Sequence, residues 1–491
     1  MGAEFAGPRQ RGYMDSNGPF PVFDLIVLGG GSAGYAAART AHGLGLSVAV
    51  VDGADELGGL CILRGCMPSK TLIESADRNL TLRRAAEFGL TARPGPPDLR
   101  VIRDRKRVLI DDFAGYRRGQ LEDGRFTLLR GRAGFVDAHT LRVQPRDGGA
   151  AFELCGRSFC LATGSVAHVP PLPGLEEVGY WTSDNILDAD NLPDSFVVLG
   201  GGAIALEMAH YLEAMDRRVT LVQRGSQFLS GVDSECGEAV ARAYRERGID
   251  CRLGARVRQV GRSGAGVKWV EFEQAGEVCR VEAAEILVAL GRRPATEGLG
   301  LEAAGVDLDG VKVRVGLTQQ TSQAHIFAAG DLCSPLDVVH LAIQQGEVAA
   351  RNAARLLRGE PVAETMDYRL RLFGVFSHPQ VAAVGASEAS LREAGVPYVA
   401  ASYPFNDHGK SMCMGETDGF VKMLAHRGTG EILGACVAGP HATELIHEVV
   451  VAMHHRATVQ EFLAIPHYHP TLSEIWTYPA EECADGLDAE L

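Results

Sequence analysis

The chain has little basic surface to offer: 48 Lys and Arg stand against 62 Asp and Glu, a formal net charge of −14. Nucleic acids and anionic membranes both require a cationic face, so neither is an expected partner. Nor is there an uninterrupted apolar run approaching the roughly 18 residues of a membrane-spanning helix, because Gly or charge breaks every candidate. No low-complexity tract is present, and 46% apolar with 22% charged residues is the composition of a folded chain. The eleven cysteines are scattered and odd in number, which argues against a disulfide framework and for a reducing, cytoplasmic compartment. Residues 1–20, MGAEFAGPRQRGYMDSNGPF, lack the apolar core of a signal peptide and are expected to be a disordered extension or expression remnant.

What is there begins with length. At 491 residues the chain exceeds one core of ordinary size and suggests about three domains. Two segments share one design, FDLIVLGGGSAGYAAARTAHGLGLSVAVVD (Phe23 to Asp52) and SFVVLGGGAIALEMAHYLEAMDRRVTLVQR (Ser195 to Arg224). Each reads as a buried strand, a glycine turn, an Ala-rich helix and a second strand, which makes a βαβ unit. In the first, Gly29, Gly31 and Gly34, with Ser32 between them, form the fingerprint that brings backbone close to a pyrophosphate at a helix N-terminus. An acid, Asp52, follows 23 positions after Gly29, where a ribose hydroxyl needs an acceptor.

In the second segment the glycine positions are Gly200, Gly202 and Ala205, and the same count ends on Gln223, followed by Arg224. Without a carboxylate to repel a 2′-phosphate, and with a guanidinium to bind one, this site favours NADPH over NADH.

Cys61 and Cys66 lie five positions apart in GGLCILRGCMPSK. On an ideal helix that spacing separates the Cα atoms by about 8.6 Å, beyond the roughly 7 Å a disulfide spans, so a bridge here requires a distorted backbone. Gly58, Gly59 and Gly65 permit the distortion, and Pro68 suits the first turn of a following helix. The spacing alone is compatible with a structural, metal-related or redox pair; its place soon after Asp52 favours redox.

Taken with these, further motifs resemble the class I pyridine nucleotide disulfide oxidoreductases (glutathione reductase, dihydrolipoamide dehydrogenase and mercuric reductase). They are CLATGS (Cys160 to Ser165), LVALGRRPAT (Leu287 to Thr296), HIFAAGD (His325 to Asp331) and HYHPTLSE (His467 to Glu474), and the likeness runs from about Phe23 to Tyr478. Over the whole chain it is greatest to dihydrolipoamide dehydrogenase. The resemblance implies an α/β fold with two Rossmann-like domains, for FAD and NAD(P), and a C-terminal α+β dimerisation domain. The expected boundaries are 21–170 and 297–365 for the two FAD-binding parts, 171–296 for the nucleotide domain and 366–491 for dimerisation.

The resemblance also implies roles. Cys66 would face the flavin as the charge-transfer thiolate, and Cys61 would exchange with a disulfide or dithiol substrate. His469, oriented by Glu474, would be the acid/base for the Cys61 thiol, supplied across a homodimer by the other subunit. Lys70, paired with Glu207, would sit by the flavin. Gly59, Thr163, Gly164, Gly291, Gly330 and Asp331 would complete the cofactor contacts, and no metal site is expected.

Two other readings compete with this one. Mercuric reductase shares nearly every motif, but the cysteine pair near that family's C-terminus meets only Cys483 here. A flavin-binding subunit acting as scaffold would need none of Cys61, Cys66, Lys70, His469 and Glu474. Cys155 and Cys160 read as structural, His467 as structural or a metal fragment, and Cys413 as buried filler. Leu60, Ile62, Leu63 and Arg64 depart from the family pattern around the redox pair, and Ala203 stands where some members carry a gating aromatic. Arg64 would either lower a neighbouring thiol pKa or point to solvent.

Overall fold

The computed structural model describes residues 20–92, 95–264 and 266–488. Most of the N-terminal extension expected at residues 1–20 lies outside these. The chain divides into two compact units.

Among the described residues the first unit contains 20–63, 110–166 and 293–366. Its sheet runs parallel in the order Thr127–Phe135, Val48–Asp52, Phe23–Leu28, Phe152–Leu161, Ile326–Ala328. The strand Thr140–Pro145 pairs antiparallel with the first and fourth of these. The apolar runs DLIVL and VAVVD are buried on both faces, as central parallel strands must be when helices cover them. The fingerprint helix Ser32–Gly43 buries six alanine or glycine side positions, and helix Val339–Leu357 packs against it. The contact is so close that a Cβ on Gly346 would lie 2.2 Å from the Ala33 carbonyl oxygen.

The second unit contains the described residues of 64–109, 167–292 and 367–488. Its five-stranded parallel sheet has the order Asp250–Leu253, Arg218–Gln223, Ser195–Leu199, Glu285–Val288, Trp181–Thr182. A five-stranded antiparallel sheet follows from Leu372–Val375, Gln380–Gly385, Ile432–Gly439, Phe420–His426 and Tyr398–Pro404. Helices Ala442–His454 and Thr477–Asp488 cover it, and the fully buried Trp476 donates its indole N–H to the Leu445 carbonyl at 3.0 Å. The two nucleotide-type sheets and the C-terminal α+β layer are the architecture the motifs imply.

Within this unit helix Cys66–Arg83 lies along helix Ala203–Ala214. Leu72, Ala76 and Leu80 pack with Leu206 and Ala209. Polar pairs punctuate the seam at Lys70–Glu207, Asp77–His210 and Arg83–Glu213. No helix among the described residues is long and apolar enough to cross a membrane.

Candidate active site and cofactor cradles

The two glycine turns are built alike. Gly29 and Gly200 adopt φ of +102° and +125°, and a Cβ on either would come within 2.5 Å of a neighbouring carbonyl oxygen, Ala162 or Ala289. Only glycine fits such a turn. Gly31 and Gly202 then cap their helices without any side-chain hydrogen bond, so first-turn N–H groups are left for an anion. A Cβ on Gly202 would meet nothing within 4 Å, and one on Gly31 only the Gly59 Cα at 3.7 Å. Both turns therefore have room for a pyrophosphate, and the residues present fit dinucleotides. The adjacent Gly59, at φ +76°, passes so near Gly31 that its own Cβ would lie 2.6 Å from the Gly31 Cα.

At the end of the second strand Asp52 is 6% exposed and already accepts the Gly30 N–H at 2.8 Å and the Ala54 N–H at 2.9 Å. Arg130 approaches the same carboxylate to 3.6 Å. Remaining lone pairs are held in place to receive hydroxyls. Gln223 occupies the corresponding place in the second unit: as Asp52 closes on Gly30, Gln223 closes on Gly201, whose Cβ would sit 2.8 Å from its side chain. Its amide donates to the Gln227 carbonyl. Arg224 is exposed and forms no ion pair among the described residues.

The segment GGLCILRGCMPSK breaks as the spacing requires. Cys61 lies in the short helix Gly59–Leu63, and Cys66 opens the separate helix Cys66–Arg83 with Pro68 in its first turn. Gly58 at φ +152° and Gly59 set the entry. Both cysteines are half-buried. Arg64 is exposed, while burial lowers the pKa of a different cation, Arg117, against opposing Coulombic interactions with Tyr35 and Cys61. Arg117 stacks 4.2 Å over the Tyr35 ring, and its distance in sequence left no signal of this.

Lys70 and Glu207 form a two-pronged ion pair at 2.8 and 2.7 Å. Glu207 is 4% exposed and takes a third donor, the Phe376 N–H at 3.1 Å. The Lys70 ammonium also lies 4.7 Å over the Phe376 ring. Phe376 was not legible as part of this group.

Among the other expected contacts, Thr163 donates to the Ala295 carbonyl and Gly164 accepts the Ala295 N–H. Asp331 accepts the Ser165 hydroxyl at 2.5 Å, and the Gly330 N–H is held by Gln345. Gly291, at φ +102°, accepts the His168 N–H.

His469 and Glu474 are brought together. The carboxylate lies 2.9 and 3.2 Å from the imidazole Nδ1, while the His469 side chain is 79% exposed and offers its other nitrogen outward. Glu474 itself is 9% exposed. His467 is anchored instead, with Nδ1 on the Ile465 carbonyl and Nε2 2.6 Å from Glu448. Cys155 and Cys160 share one strand, and burial pushes the Cys160 thiol up to about 12, as befits an inert core residue. Cys413 corrects the sequence reading: it is exposed, because its short helix Gly409–Met414 buries only Ser411.

Residues 23–346 match the pyridine nucleotide-disulphide oxidoreductase family and residues 373–480 the dimerisation domain of the same family. The chain belongs to the pyridine nucleotide-disulphide oxidoreductase family. It is 32% identical over 473 residues to a dihydrolipoyl dehydrogenase of Bacillus subtilis, covering 96% of this chain and 98% of that protein. With the dihydrolipoyl dehydrogenase of Thermus scotoductus it shares 34% over 459 residues, 92% and 95% of the two chains. Among solved structures, LpdA of Mycobacterium tuberculosis superposes with a TM-score of 0.82 at 29% identity over 93% of this chain and 99% of that one. The HOCl-induced flavoprotein disulfide reductase RclA of Escherichia coli gives 0.81 at 25% identity over 94% and 99%. Like other members of this oxidoreductase family the enzyme uses FAD and a nicotinamide dinucleotide, and it carries the family's dimerisation domain.

Proposed function

We propose that this oxidoreductase is an NADPH-favouring disulfide reductase or dithiol dehydrogenase of dihydrolipoamide-dehydrogenase type, a cytoplasmic homodimer in which Cys61 and Cys66 form the redox disulfide. The observation that carries the reading is the pairing of a buried Glu474 with a solvent-facing His469, a geometry that FAD binding alone does not require. FAD, when bound, relays an electron pair between the nicotinamide and the disulfide.

The roles of the protein's own groups follow. Glu474 holds Nδ1–H of His469, so the outward Nε2 is the nitrogen that takes or returns a proton. In the homodimer that nitrogen would serve the Cys61 thiol of the other subunit. Cys61 would attack or be released from a mixed disulfide with substrate, and Cys66 would close the internal bridge. Lys70, fixed by Glu207, would stand as a positive charge at the flavin. Asp52 would hold the ribose of FAD and Asp331 its ribityl chain. Gln223 and Arg224 would admit and bind a 2′-phosphate.

The substitution His469→Gln tests the reading directly. Turnover of dihydrolipoamide should fall by about 100-fold or more, the usual contribution of a positioned acid/base, while flavin reduction by NADPH persists. Undiminished dithiol turnover in that variant would remove the acid/base assignment.

A further inference from the structure

Glu474 has a second imidazole beside it. His408, at 0% exposure, points Nε2 at the Glu474 carboxylate from 3.4 Å, on the side away from solvent, while its Nδ1 lies 2.8 Å from the Ser411 hydroxyl. A lone pair on Nε2 would confront a carboxylate, so Nε2 carries the hydrogen and Ser411 donates to Nδ1. At 3.4 Å the approach is a charge–dipole contact and not a closed hydrogen bond. Ser411, His408, Glu474 and His469 thus stand in a line that begins in the core and ends at the exposed imidazole.

We propose that His408 is a positioning residue for the acid/base pair: its Nε2–H dipole, locked by Ser411, holds Glu474 in place and draws off part of its charge, setting how strongly the carboxylate supports a proton on His469. The inference rests on the assignment of His469 as acid/base. Burial, against the opposing pull of Glu474, lowers the pKa of His408 and so favours the neutral imidazole, which acts as a fixed dipole.

Of the other titratable groups around the line, all but Lys410 are engaged elsewhere or present only a ring. Tyr478 from the C-terminal helix presents only a ring, 6.3 Å from His408. Asp407 in the same turn accepts the Tyr403 hydroxyl. Lys410 of the short helix forms no ion pair among the described residues. On strand Phe420–His426, Lys422 is surrounded by Asp233, Glu235 and Glu388. On the helix Ala442–His454, Glu448 is paired with His467.

The dipole has a signed consequence. Removing it concentrates the Glu474 charge on His469, so the imidazole holds its proton to higher pH. The test is the pH–rate profile of dihydrolipoamide oxidation by the FAD-loaded enzyme, for wild type and for His408→Phe, His408→Gln and Ser411→Ala. Flavin content and ferricyanide turnover of each preparation normalise for folding. In His408→Phe the acid limb should move up by about half a pH unit, roughly a threefold loss of rate at a fixed pH on that limb. His408→Gln, whose amide N–H can stand where Nε2–H stood, should restore most of the wild-type limb. Ser411→Ala should move the limb in the same direction as Phe by a smaller amount.

A His408→Phe limb that does not move, whatever happens to the pH-independent rate, overturns the proposal, as does a Gln variant displaced as far as Phe. If His408→Phe folds too poorly to assay, Ser411→Ala decides alone, an unmoved limb refuting. Failure of the acid/base assignment itself is separable: His469→Gln would then retain dithiol turnover.

Discussion

Replacing Lys70 by Met would leave Glu207 with only the Phe376 amide as donor. The carboxylate is 5% exposed as a side chain and the ammonium 29%, so the pair is buried at one end and open at the other. Breaking a fully buried pair by removing one partner costs about 3–5 kcal/mol, because the orphaned charge remains desolvated. Partial access of water at the Lys70 end places the Lys70→Met cost at the lower edge, about 2–3 kcal/mol. Glu207→Gln keeps an acceptor for the Phe376 N–H and should cost about 1–2 kcal/mol. In the double variant neither charge is left uncompensated, so its cost should fall short of the sum by about 1.5 kcal/mol or more. Urea unfolding at fixed protein and FAD concentration, followed by far-UV circular dichroism, supplies the cycle once the FAD contribution of each of the four proteins, set by its own Kd, is measured and subtracted. Additivity within about 0.5 kcal/mol would refute the reading that Glu207 exists to neutralise Lys70.

Three other outcomes are expected. Gln223→Glu should raise the KM for NADPH by about 10-fold or more and leave NADH less affected, as loss of one charge-assisted contact and gain of a repulsion imply, measured by steady-state kinetics with both nucleotides. Gly346→Ala, although alanine usually favours a helix, should destabilise the protein by about 1–3 kcal/mol, because its Cβ would fall 2.2 Å from the Ala33 carbonyl; lower melting temperature and weakened FAD retention would register it. Glu388, against the opposing effect of burial, is drawn down to about 2 by hydrogen bonds from Lys422, Tyr398 and Arg392. A depressed carboxylate contributes stability that is present above its unfolded pKa near 4.5 and lost as pH falls toward 2. Glu388→Gln should therefore flatten the loss of stability over that window in acid titrations of unfolding, relative to wild type.

Local patterns carried most of what could be read from the residues alone. The turn at Gly29 and the acid at Asp52 are legible because a tight turn and the end of the adjacent strand are locked to a fixed sequence distance, and the same geometry made Gln223 legible as the counterpart. The helix break between Cys61 and Cys66 followed from the reach of a disulfide. Between Leu90 and Ser158 the sequence was nearly silent. The helix Leu99–Glu122 is rich in charge, and strands such as Thr140–Pro145 alternate too briefly to stand out. Contacts assembled only by the tertiary fold were invisible. The Phe376 amide at Glu207, Arg117 over the Tyr35 ring, His408 behind Glu474 and the carboxylates around Lys422 join residues whose local sequences announce nothing. Cys413 was misjudged because apolar neighbours in SMCMG suggested burial, whereas a helix of six residues turned only one side chain inward.

The central claim, that electrons pass between nicotinamide, flavin and the Cys61/Cys66 pair, is tested most directly by anaerobic titration of the FAD-loaded enzyme with NADPH and, separately, NADH. A long-wavelength charge-transfer absorbance appearing at two electrons, reached more readily with NADPH and abolished in Cys66→Ser, is the predicted result. Bleaching of the flavin without that absorbance would contradict the account.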